Sequence, residues 1–122
     1  MLQIVHNPGS IPDDNRLYAG ADLICVFESP YDQYASQAAR LSQLVSSPIN
    51  GYGRQSYANM VSGLPTNWAE SQLAAFINTV KIDAQSLFVT DINIEVADIY
   101  GSFGTQWSEF VTIVSQTAAQ QY

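Results

Sequence analysis

Apolar residues along this chain come in two rhythms, short unbroken blocks and longer stripes at helical spacing. Leu2-Gln3-Ile4-Val5-His6 reads as a short strand, and the dense turn signal Asn7-Pro8-Gly9-Ser10-Ile11-Pro12 follows it. A strand that begins almost at the first residue predicts further sequence upstream. Asp13 or Asp14 is placed to cap a short helical turn through Leu17 and Tyr18, closed by Gly20. The block 21–28 comes next. Its run from Leu23 to Phe27 is wholly apolar and too short for an ordinary helix, which suits a strand buried on both faces.

Ser29-Pro30 is expected to break that strand. Tyr34, Ala38, Leu41, Leu44 and Val45 then recur at helical spacing between Asp32 and Val45, up to Pro48 and the loop Asn50-Gly51-Tyr52-Gly53. Gln55 to Val61 is a third, weaker strand, ending in Ser62-Gly63-Leu64-Pro65. Thr66 is the expected cap of a second helix, with Glu70 in its first turn and Trp68, Leu73, Phe76, Ile77 and Val80 on one stripe. Ser86 to Thr90 is a fourth strand that stops at Asp91. Asn93 to Gly104 reads as a long polar connection. A last helix from about Thr105 to Ala118 should bury Trp107, Phe110, Val111 and Val114.

Strand and helix thus alternate four times, the signature of parallel strands joined by right-handed crossovers. The carboxyl ends of such strands gather on one face, where chemistry collects. The residues there are Asn7, Glu28, Ser62 and Asp91. Polar strand ends are common in any α/β protein, so each has a bland reading too. Glu28 reads either as a catalytic carboxylate or as a strand-end group paired with an amide or an arginine. Asp91 reads either as a site residue or as an Asx-turn.

Composition narrows the field. The chain has 122 residues, 47% hydrophobic and 12% charged, enough for one domain with a real core. Its net charge is −7, and Arg16, Arg40, Arg54 and Lys81 are scattered, so nucleic acid is not an expected partner. Cys25 is the single cysteine and His6 the single histidine, which leaves no redox or zinc pattern and no expected metal or cofactor. Cys25 reads as a small buried hydrophobe and His6 as a strand histidine or a general base. No run approaches the ~20 apolar residues of a membrane span. Met1 runs straight into a strand-like segment, so any export signal is expected to lie outside this stretch; no serine sits in a nucleophile elbow, and no phosphate loop is present. Tyr31, Tyr100 and other tyrosines near strand ends could stack on sugar rings or serve packing.

Several segments, in order, resemble the spherulin-4 or spherulation-specific family. They are Val5-His6-Asn7-Pro8-Gly9-Ser10-Ile11-Pro12, Ala21-Asp22 through Val26-Phe27-Glu28-Ser29-Pro30-Tyr31, Phe88-Val89-Thr90-Asp91, and Asp98 to Trp107. The resemblance implies the C-terminal half of a (β/α)8 TIM barrel, about four parallel strands alternating with helices in a single unit over 1–122. It implies a glycoside hydrolase, extracellular or cell-wall associated, endo-acting on α-1,4-linked N-acetylgalactosamine or galactosamine exopolysaccharide. Glu28 matches the family's strand-end glutamate, which the resemblance implies is one of its catalytic acids. Asn7, Asp91, Ser62, His6, Tyr31 and Tyr100 are the expected substrate-binding residues.

Two departures stand out. The family's Asp-Glu pair precedes the Asn-Pro-Gly strand and has no match here, so the chain alone is expected to be inactive. Where the family often has His-Ser, Ser62-Gly63 stands. A full barrel takes about 250 residues, so the remaining expectations are a fragment, a partnership with a second half-barrel or a second copy, or a non-catalytic carbohydrate-binding or structural module. Outside the family, a small flavodoxin-like sheet is the other architecture.

Overall fold

The computed structural model describes residues 3–49, 51–93, 98 and 101–119. Four strands, β1 (Val5–His6), β2 (Leu23–Pro30), β3 (Tyr57–Ser62) and β4 (Ser86–Val89), form one parallel sheet in the order β1-β2-β3-β4. Sequential order in a parallel sheet is what successive right-handed crossovers on one side produce, and it is the order of a (β/α)8 barrel. The crossovers after β2 and β3 are the helices α1 (Tyr31–Ser46) and α2 (Glu70–Asp83), and α3 (Trp107–Ala119) follows β4. The first crossover carries only a 3-10 turn, Asn15–Tyr18, capped by the Asp14 carboxylate, which accepts from the Arg16 N–H at 2.8 Å.

The apolar block at 23–27 does form the central strand, with Ile24, Cys25, Val26 and Phe27 all buried. Ser29-Pro30 does not break it. Pro30 is the last strand residue, opposite Ser62, and its fixed φ of −62° also leads straight into α1. Tyr34, Leu41 and Leu44 give α1 its buried stripe, and Asp32 complements the helix dipole at its start. Below the helices, Tyr57, Val61, Leu73, Ile77 and Val80 complete the core. The Ser42 hydroxyl donates to buried Asp83 at 3.1 Å and so joins α1 to α2.

β1, β3 and α2 have boundaries that differ from expectation. β1 is only Val5–His6, and β3 starts at Tyr57 after a 3-10 turn, Arg54–Ser56. Thr66 does not cap α2. The helix starts at Glu70, where the Gln72 side chain reaches back to accept from the Ala69 N–H at 2.8 Å. Trp68 is thereby left outside the helix, free to pack against Tyr31 and Phe76. α3 buries Phe110 and Ile113, whereas Val111 is 40% exposed. Phe88 packs against both Trp107 and Phe110.

Candidate functional site at the carboxyl ends of the strands

In a parallel sheet all carboxyl ends lie along one edge, so Asn7 and Thr90-Asp91, which follow β1 and β4, lie on the same side as Glu28 and Ser62, which belong to the last residues of β2 and β3. What aims Glu28 is an irregularity in β2. Cys25 lies opposite Ala58 and Phe27 opposite Asn59, so Val26 is skipped in the register. In an even strand, residues three apart face opposite sides. The extra residue puts Cys25 and Glu28 on the same side, opposite Ala58 and Met60, which are two apart. The Cys25 thiol shows the consequence: burial, and after it the nearby Glu28 charge, push it up to about 11. Removing the bulge would turn Glu28 to the other face of the sheet.

Glu28 is then fixed by two contacts from the loop after β1. The Asn7 Nδ2–H donates to Oε2 at 2.8 Å, and the Glu28 backbone N–H donates to the Gly9 carbonyl at 2.9 Å. Its Oε1 accepts no hydrogen bond among the described residues. Met60 and then Phe88 lie beside Glu28 in register across β3 and β4. These three, with Ser62 and Thr90, line a cavity of about 20 Å³, room for a single water. Asn7, Glu28 and Ser62 are therefore brought together.

The other expected site residues are engaged differently. Asp91 is buried, and both its oxygens accept from Thr105: Oδ1 from the backbone N–H at 2.9 Å, Oδ2 from the hydroxyl. The His6 Nδ1–H donates to the Leu17 carbonyl at 3.1 Å, which fixes the ring against the 3-10 turn. Tyr31 lies edge-on to Trp68 and Phe76, each with ring centroids 5.1 Å away. Tyr100 lies outside the described residues.

Sequence reasoning missed Met60, Phe88 and Thr90. Met60 and Phe88 carry no chemical signal, being ordinary strand residues. Thr90 had one, its place beside Asp91. Its hydroxyl donates to the Phe103 carbonyl at 3.2 Å and accepts from the Ile92 N–H at 3.2 Å. Among the described residues, no group of three or more His, Cys, Asp or Glu is placed to hold a metal ion, and no helix is long and apolar enough to cross a membrane.

The arrangement supplies one oriented carboxylate and a donor beside it, at a small cavity that Ser62 and Thr90 line together with Met60 and Phe88. That suits hydrogen bonding to a polyhydroxylated ligand. Over residues 2–114 the sequence matches the family described as Spherulin4, spherulation-specific family 4. No curated protein matches it. Among solved structures, that of Aspergillus clavatus Sph3 in complex with GalNAc is similar, with a TM-score of 0.75 at 31% identity. The likeness covers 91% of this chain and 41% of that one, so the chain spans less than half the length of this neighbour.

Proposed function

The chain belongs to spherulation-specific family 4, and on that footing we propose that it carries one half of a glycoside hydrolase site. Its ligand is an amino sugar, within an α-1,4-linked N-acetylgalactosamine or galactosamine polysaccharide outside the cell. The observation that carries this reading is the Asn7–Glu28 pair, a carboxylate held by a 2.8 Å bond whose second oxygen accepts no hydrogen bond among the described residues. The GalNAc bound to the Sph3 neighbour supports the choice of sugar.

Glu28 is the group that acts at the anomeric centre, and Asn7 holds it in place. Ser62 contacts the sugar beside Glu28. His6, Tyr31 and Tyr100 border the sugar path, and Asp91 serves the site through the loop it holds. Glycoside hydrolysis ordinarily needs a second carboxylate about 5 to 10 Å from the first. Asp91 is the other carboxylate at the described strand ends, and Thr105 occupies both its oxygens. The chain by itself should therefore bind the sugar and leave it uncut. Incubation with partly deacetylated α-1,4-galactosamine oligomers should release no reducing ends, while a titration detects binding. Release of reducing ends that Glu28→Gln abolishes would show the site to be complete.

A second reading, self-association into a closed barrel, is favoured by the edge strand. Ile4 and Val5, at β1, are 51% and 56% exposed, large apolar residues on a sheet margin. Sedimentation at micromolar concentration is expected to give a dimer on this reading, and a stable monomer counts against it.

A further inference from the structure

We propose that Phe103 is the platform on which a sugar ring stacks in this site. This rests on the amino-sugar reading and adds to it the residue that grips the apolar face of the ligand. Phe103 is 59% exposed, a large aromatic in a loop otherwise made of Gly101, Ser102, Gly104 and Thr105. One face of its ring lies on Trp107, with centroids 4.4 Å apart and planes 19° from parallel. Trp107 in turn stacks on buried Phe110 at 5.6 Å, so the pile is rooted in the core. The opposite face of Phe103 is the exposed one.

The backbone of Phe103 is tied to the site. Its carbonyl accepts from the Thr90 hydroxyl, and Thr90 lines the same cavity as Glu28. The next residues are locked as well, since Thr105 is bound twice by Asp91. A ring held this way gives up little freedom when a ligand arrives. A galacto-configured sugar has an axial O4, which leaves the hydrogens of C3, C4 and C5 together on one face. Those weakly positive hydrogens match the negative face of an aromatic ring.

The test titrates an N-acetylgalactosamine oligomer into the full chain and into Phe103→Ala, Phe103→Leu and Phe103→Tyr, with melting curves for each. Alanine and leucine should each weaken binding about tenfold. Tyrosine, which keeps the ring, should stay within about twofold, and melting should barely move because the side chain is exposed. Full affinity in Phe103→Ala or Phe103→Leu, or loss in Phe103→Tyr, overturns the platform and leaves the sugar reading standing. No binding by the unaltered chain overturns both.

Discussion

Gly104→Ala is expected to destabilise the fold by about 3 kcal/mol or more. Gly104 has a φ of +87°, where any side chain is strained, by about 1 to 2 kcal/mol. A Cβ there would also stand 2.4 Å from the Asp91 Oδ1 and 2.5 Å from the Thr90 Oγ1. Neither atom is the tip of a long flexible chain. Both are buried, and both hold the loop to the end of β4. Moving them leaves buried polar groups unpaired, at about 1 to 3 kcal/mol each. Gly20 is the control. Its φ is +79°, but nothing lies within 4 Å of its missing Cβ, so Gly20→Ala should show the strain alone. Denaturant unfolding of the two variants separates the cases. Equal losses would mean that the contact between Gly104 and the Asp91 and Thr90 side chains does not hold the loop.

The alternation of strands and helices was open to sequence reasoning because burial on both faces leaves a mark that survives without context. Leu23 to Phe27 is such a mark, and so are the stripes of α1 and α2. The carboxyl-end position of Glu28 followed from the same pattern. Its direction did not. The bulge at Val26 depends on the register of β3, and no local feature of Ile24-Cys25-Val26-Phe27 announces it. The start of α2 went astray for a related reason. Thr66 is a good cap in isolation, but the contacts of Trp68 with Tyr31 and Phe76 keep residues 66–69 out of the helix. In α3, Ile113 joins the core cluster while Val111 stays on the surface, an outcome that helical spacing alone did not fix. Asp91 shows the same limit on the side of chemistry. Its position after β4 was legible, whereas its engagement by Thr105, fourteen residues on, was not.

Glu28→Gln should weaken amino-sugar binding about ten- to a hundredfold. Glutamine has the same shape, and its amide oxygen can still accept from Asn7, so the side chain keeps its place. What disappears is the negative charge. Hydrogen bonds from sugar hydroxyls, or from the ammonium of a deacetylated residue, to a carboxylate contribute about 1.5 to 3 kcal/mol, and each 1.4 kcal/mol is about tenfold in affinity. Stability should hold, because the Glu28 backbone bond to Gly9 does not involve the carboxyl group.

The most direct measurement is a calorimetric titration of a partly deacetylated α-1,4-galactosamine oligomer into the unaltered chain and into Glu28→Gln, each checked for an unchanged melting temperature. The account predicts binding by the first and a loss of at least about tenfold in the second. Equal affinity in the two, or no binding by the unaltered chain, would contradict it.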